Sequence, residues 1–117
     1  MANIEKFEGG IITITLFGEL DNHEANRIRT QVGAAIFAGD VRTIIWDLSH
    51  LQFMDSSGIG LILGRMRELG PYNGETFILN PSPTMEKIFT FSGLEKNIRF
   101  SSVQDMMRQL GGVVHEK

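Results

Sequence analysis

Hydrophobic positions along this chain form short continuous runs that alternate with helical stripes. Ile4 to Phe7 and Ile11 to Phe17 flank Glu8-Gly9-Gly10, which predicts an N-terminal hairpin with a glycine turn. The segment Val41 to Leu48 carries Ile44-Ile45-Trp46 almost without a polar break, a pattern typical of a central parallel strand covered on both faces. Further short strands are predicted at Thr76 to Leu79 and Ile98 to Phe100.

Between these runs, apolar residues recur every three or four positions in four segments, so each segment predicts an amphipathic helix. Asp21 precedes the first helix as its N-cap, with Glu24 at the capping-box spacing. Ser82 and Ser102 cap the third and fourth helices, and Met85, Ile88 and Phe89 are expected to face inward. Alternation of strands and helices predicts an α/β fold: a mixed, mostly parallel sheet with an N-terminal hairpin, covered by about four helices.

The second helix is expected to begin near Ser56 and to end at Gly70 and Pro71. Its apolar stripe predicts which side packs on the sheet. The residues of that stripe are Ile59, Ile62, Leu63, Met66 and Leu69.

Composition narrows the class of protein. A chain of 117 residues suits one domain, expected to span 1–117. No apolar run approaches the ~18 residues of a membrane helix, and no signal peptide is evident, so we expect a cytoplasmic protein without a membrane partner. The net charge of −3 and scattered basic residues argue against direct nucleic-acid binding. The absence of cysteine excludes disulfides and thiolate metal sites.

The carboxyl ends of parallel strands gather at one edge of a sheet, where ligands and partners bind. Segments 18–23 and 53–58 both follow predicted strands and are expected to be neighbours there. Ser56 would stand at a helix start, whose free N–H groups and positive dipole end favour an anion. A serine in that position is more often only a helix cap, and the pattern alone leaves both interpretations open.

Glycines surround this serine on the predicted helix. Gly58 and Gly60 would thin the surface around Ser56 and give a partner access. Gly60 and Gly64 lie one turn apart, and a glycine inside a helix costs about 1 kcal/mol relative to alanine. Close approach of a partner backbone would offset that cost, as would tight packing of the helix on its own sheet.

Other chemistries fit the sequence poorly. Gly58-Ile59-Gly60 followed by Gly64 departs from the dinucleotide-binding fingerprint. A small hydrolase pairing Ser56 with His23 is a rival hypothesis, although the chain is short for one, and His50 and His115 have no assigned partner. The three scattered histidines match no familiar metal site. We therefore expect no catalytic residue, no metal and no cofactor.

A resemblance to a known family is carried by Phe53-Met54-Asp55-Ser56-Ser57-Gly58-Ile59-Gly60 and continues through Leu61-Ile62-Leu63-Gly64-Arg65. It includes Gly18-Glu19-Leu20-Asp21, and further along Asn80-Pro81-Ser82-Pro83 and Phe91-Ser92-Gly93-Leu94. In these segments the chain resembles the STAS-domain anti-sigma factor antagonists, above all the sporulation antagonists of endospore-forming bacteria.

That resemblance implies a partner-switching protein that is not an enzyme. The unmodified form would bind an anti-sigma factor that is a serine kinase of the GHKL ATPase type with bound nucleotide, releasing the sigma factor. Phosphorylation of Ser56 would end this binding, and a PP2C-type phosphatase would reverse it; Ser57 is the alternative acceptor. The residues expected to contact the partner are Glu19, Asp21, Asn22, His23, Asp55, Ser57, Gly58, Gly60, Leu61, Gly64 and Arg65.

Two alternatives stay open beside this interpretation. One is a stress-response antagonist with the same mechanism and a different sigma factor. The other is a STAS module that binds a nucleotide or another small molecule at the same glycine-bearing helix start.

Overall fold

The computed structural model describes residues 1–111, and five strands in this part of the chain form one sheet. The strands are β1 (Ala2–Phe7), β2 (Ile11–Leu20), β3 (Thr43–Met54), β4 (Glu75–Leu79) and β5 (Ile98–Arg99). The helices are α1 (Asn22–Phe37), α2 (Ser56–Leu69), α3 (Pro83–Phe91) and α4 (Val103–Gly111). His115 lies outside the described residues.

The strands lie side by side in the order β1-β2-β3-β4-β5. β1 is antiparallel to β2, and every other neighbouring pair is parallel. The hairpin turns at Gly9 and Gly10, which have φ of +85° and +76°, a conformation that glycine adopts without steric cost. The predicted mixed α/β fold with an N-terminal hairpin and four helices is therefore confirmed.

The two faces of the sheet are covered unequally. Ile12 and Ile14 of β2 join the larger core, to which α1, α2 and α3 contribute. Trp46, at the middle of β3, is fully buried in that core. Neighbouring strand residues such as Ile45 point to the opposite face and pack against Met106 of α4. The starts of α1, α2 and α3 thus meet at the carboxyl edge of the parallel strands.

The second and third strands are longer than the sequence predicted. Their ladder continues to the pair Leu20 and Met54, although β2 was expected to end near Phe17 and β3 at Leu48. The polar residues after Leu48 break the apolar run, but their backbone groups still pair with β2. The ladder shifts register twice on the way, and Gly18 adopts φ of +65° there.

Helix caps follow the sequence closely. The side chain of Asp21 accepts a hydrogen bond from the N–H of Glu24 at 2.8 Å, and Ser82 and Ser102 cap α3 and α4 in the same way. The inward orientation predicted for Ile88 is wrong, because this side chain is 41% exposed. Among residues 1–111, none of the helices is both long enough and apolar enough to cross a membrane.

Candidate functional site

The start of α2 is held by an aspartate and not by the serine that follows it. Asp55 is the N-cap, and its Oδ1 accepts hydrogen bonds from the N–H of Ser57 at 2.9 Å and from the Ser57 hydroxyl at 2.5 Å. The carbonyl of Asp55 also accepts from the N–H of Gly58 at 3.0 Å. Ser56 is the first residue of the helix, so the interpretation of Ser56 as its cap is wrong.

The two adjacent serines therefore differ chemically. Ser57 is half-buried and its hydroxyl is committed to Asp55. Ser56 is exposed, and its hydroxyl makes no hydrogen bond to any residue within 1–111. Of the two hydroxyl groups, that of Ser56 is therefore the more accessible from outside the domain.

Asp55 places a fixed negative charge beside Ser56. The hydroxyl of Ser57, followed by its backbone N–H, holds the pKa of Asp55 below the ordinary value of an aspartate. Both hydrogen bonds stabilise the carboxylate and not the protonated acid. The neighbour of the free hydroxyl is consequently ionised at neutral pH.

A second segment completes the edge, as the sequence predicted. Glu19 lies opposite Phe53 and Leu20 opposite Met54 in the β2–β3 ladder, so segments 18–23 and 53–58 are neighbours. After Leu20 the chain enters α1, whose cap Asp21 is exposed. Asn22 and His23, in the first turn of α1, are exposed, and so is Glu19.

The predicted contact glycines are in different environments. Gly58 is buried, and a Cβ added there would overlap the sulfur of Met54 and lie 3.2 Å from Cδ2 of Leu20. Gly58 thus closes the packing under α2, and the prediction that it gives a partner access is wrong. Gly60 is exposed and Gly64 half-buried, and an added Cβ at either would meet no atom within 4 Å. Tight packing on the sheet therefore does not explain these two glycines.

Two other predicted contact residues are in the interior. Leu61 is completely buried and Arg65 is 6% exposed, so neither forms part of the surface around Ser56. Arg65 Nε donates to Oε1 of Glu68 at 2.7 Å, while its buried Nη1 has no hydrogen-bond partner in residues 1–111. The expectation that both lie at the surface is wrong, because the buried side of α2 includes them in addition to the predicted stripe, whose residues all lie in or against the core. The residues of the observed stripe are Gly58, Leu61, Ile62, Arg65 and Leu69.

Aromatic side chains beside the site were missed from the sequence. Phe53 is 57% exposed just before Asp55, and Phe17 stacks on His50 with ring centroids 5.3 Å apart. Phe17 itself is 37% exposed. The signal in the sequence was Phe53, an aromatic residue among the mostly polar residues that follow the predicted end of the central strand at Leu48.

Comparison with known proteins places this geometry in a family. The family model described as the STAS domain matches residues 4–106. The chain belongs to the STAS-domain family. The anti-sigma F factor antagonist of Lysinibacillus sphaericus is 52% identical over 104 residues, covering 89% of each chain.

Two solved structures share the arrangement of this STAS domain. The anti-sigma factor antagonist SpoIIAA in its unphosphorylated form matches with a TM-score of 0.90 and 45% identity, covering 98% of this chain and all of the other. The Bacillus cell fate determinant SpoIIAA in its phosphorylated form matches with a TM-score of 0.88 and 46% identity, covering 94% and 99% of the two chains. The Lysinibacillus sphaericus relative and the SpoIIAA of the unphosphorylated structure are both anti-sigma factor antagonists.

Proposed function

We propose that this STAS domain is an anti-sigma factor antagonist of the sporulation type, acting in the cytoplasm by binding a protein partner and not as an enzyme. Its unphosphorylated form binds an anti-sigma factor that is a GHKL-type serine kinase with bound nucleotide, and so releases the sigma factor. The observation that carries the proposal is the free, exposed hydroxyl of Ser56 at the start of α2. The similarity to the anti-sigma F factor antagonist supports the identity of the partner.

The hydrogen bonds around Asp55 select the phosphoacceptor. In the kinase reaction the hydroxyl oxygen of Ser56 attacks the γ-phosphorus of ATP, its proton passes to a base in the kinase active site, and ADP leaves. Ser57 cannot approach in the same way without breaking its bonds to Asp55. A phosphate on Ser56 lies at the positive end of the 14-residue helix α2, where the fold tolerates it.

The same phosphate weakens binding of the partner. It adds a charge of about −1.5 to −2 beside Asp55, on an edge that also carries Glu19 and Asp21. A partner surface that fits a neutral hydroxyl then meets both bulk and repulsion, and a loss of ~3 kcal/mol lowers affinity by more than about a hundredfold. SpoIIAA solved in either phosphorylation state matches this fold almost equally well, which supports a switch without rearrangement of α2. A PP2C-type phosphatase removes the phosphate and restores binding.

Mass spectrometry tests the acceptor directly. The parent, Ser56→Ala and Ser57→Ala proteins are each incubated with an anti-sigma F factor kinase and ATP, and the modified peptide is sequenced. We expect phosphate on Ser56 in the parent and in Ser57→Ala, and none in Ser56→Ala. Phosphate on Ser57 of the parent would contradict the assignment.

Binding measurements test the charge mechanism. Ser56→Ala is expected to bind the kinase as the parent does and to remain bound in the presence of ATP, because it cannot be modified. Ser56→Asp is expected to bind poorly; equal affinity would show that charge at this position does not control release. Competition between the anti-sigma F factor and the anti-sigma factor of a stress-response pathway distinguishes the sporulation assignment from the stress-response alternative.

A further inference from the structure

The last residues of β3 contain an irregularity that turns an aromatic side chain outward. Gly18 pairs with Leu51 and Glu19 with Phe53, so the intervening Gln52 has no partner in the ladder. A regular strand would put Phe53 on the same side as buried Leu51, because side chains alternate along a strand. The extra residue reverses this order, and a bulge next to a functional site commonly re-aims a side chain in this way.

The outcome is an exposed aromatic patch, which we define as Phe17, His50 and Phe53. Phe53 is 57% exposed, and the rings of Phe17 and His50 lie almost parallel, with 8° between their planes. Phe53 is three residues from Ser56, so their Cα atoms are at most about 11 Å apart. A partner that covers the serine therefore has an apolar surface within reach.

Charge around the aromatic patch indicates what kind of surface covers it. Segments 18–23 and 49–58 contain the carboxylates of Glu19, Asp21 and Asp55 and no lysine or arginine. All three of these acidic residues are exposed. The complementary surface is an apolar pocket with basic side chains at its rim, since charge of opposite sign steers and orients a partner.

We infer that Phe53 is the anchor of the partner interface, inserted into a basic-rimmed apolar pocket of the anti-sigma factor, with Phe17 and His50 extending the contact. This inference rests on the proposed function. Binding energy in protein interfaces is concentrated in a few aromatic or arginine side chains near the centre, surrounded by a polar rim. Phe53 matches this description, because it is an exposed aromatic side chain next to an edge that carries acidic residues.

The test is the affinity of Phe53→Ala for the anti-sigma F factor kinase with bound nucleotide, measured by titration calorimetry. Phe91→Ala is the matched control, because Phe91 is 94% exposed at the far end of α3. We expect Phe53→Ala to bind roughly thirtyfold more weakly than the parent, and Phe91→Ala to remain within about twofold. Phe53→Leu, which keeps an apolar side chain, should recover part of the affinity and guards against a folding defect in the alanine variant.

The possible results separate this inference from the proposed function. If the parent does not bind the kinase, the proposed function and the anchor both fail. If the parent binds and Phe53→Ala binds within about threefold of it, only the anchor is refuted. Sedimentation of the parent and Phe53→Ala supplies a second check: a parent dimer that the substitution dissolves, with kinase affinity unchanged, would assign the patch to a second copy of the chain and overturn the inference.

Discussion

Two glycines in the first turns of α2 allow the effect of packing on stability to be measured apart from the effect of helix propensity. We expect replacement by alanine to raise the stability of the domain at one of them and to lower it at the other. At Gly60 an added Cβ meets no atom within 4 Å, so Gly60→Ala gains the helix preference of alanine, about 0.5–1 kcal/mol of stability. At Gly58 the Cβ overlaps the sulfur of Met54 and lies 3.0 Å from its Cγ. Met54 is only 5% exposed and has little room to move.

Overpacking of this kind costs about 1–3 kcal/mol, from which a propensity gain of up to about 1 kcal/mol is subtracted. Because the overlap with the Met54 sulfur is severe, the cost should lie in the upper part of that range, so we expect Gly58→Ala to lose about 1–2 kcal/mol. Urea unfolding followed by far-ultraviolet circular dichroism measures both variants, and each kcal/mol moves the midpoint by about 0.3–1 M. A lower midpoint for Gly60→Ala would show that the space around Gly60 is not open. An unchanged midpoint for Gly58→Ala would show that the Met54 side chain moves aside at no cost in stability.

The same pair tests the cost of exposed glycine. If Gly60 is kept because a partner backbone approaches it closely, Gly60→Ala should be more stable than the parent and yet bind the anti-sigma factor several-fold more weakly. A gain in stability with unchanged affinity would leave the glycine without a role in binding.

Two further predictions concern charged groups on or beside α2. The pKa of Asp55 is lower in the folded chain, so the stabilisation from its ionised form is present above the unfolded pKa and is lost as pH falls through the folded one. The difference in Tm between the parent and Asp55→Ala should therefore become smaller in acid, and a difference that does not change with pH would contradict this. Glu68→Gln should cost roughly 1–3 kcal/mol by leaving buried Arg65 without its carboxylate, and the double variant with Arg65→Met should regain part of that loss in a double-mutant cycle. Additive effects in the cycle would contradict the coupling.

The sequence predicted the order of strands and helices because strand-like runs, caps and turns agree with one another. Its predicted stripe on α2 does face the core, but the pattern missed two further buried residues, Gly58 and Arg65, because it counts only apolar side chains. Arg65 is buried with an ion-pair partner, and Gly58 is buried because it has no side chain, so neither contributes to an apolar stripe. The free hydroxyl of Ser56 likewise depends on which side chain caps the helix, and the side chains of Asp55 and Ser56 are both suitable caps.

The carboxyl ends of the long strands could not be predicted from the sequence, for a different reason. β3 continues beyond Leu48 through backbone pairing with β2, which side-chain pattern does not reveal. The unpaired residue Gln52, and with it the outward orientation of Phe53, arises from register between two strands that are distant in sequence. Such register is a property of the assembled sheet, so the aromatic patch emerges only with the structure.

The enclosure of Trp46 has a practical consequence. It is the chain's single tryptophan, it is fully buried, and it lies eight positions, roughly 25 Å of strand, before Met54 at the edge. Its indole fluorescence should shift to the red when the core opens, whereas docking at the edge should leave its emission unaltered. The fluorescence of Trp46 therefore distinguishes a variant that is unfolded from a folded variant that no longer binds its partner.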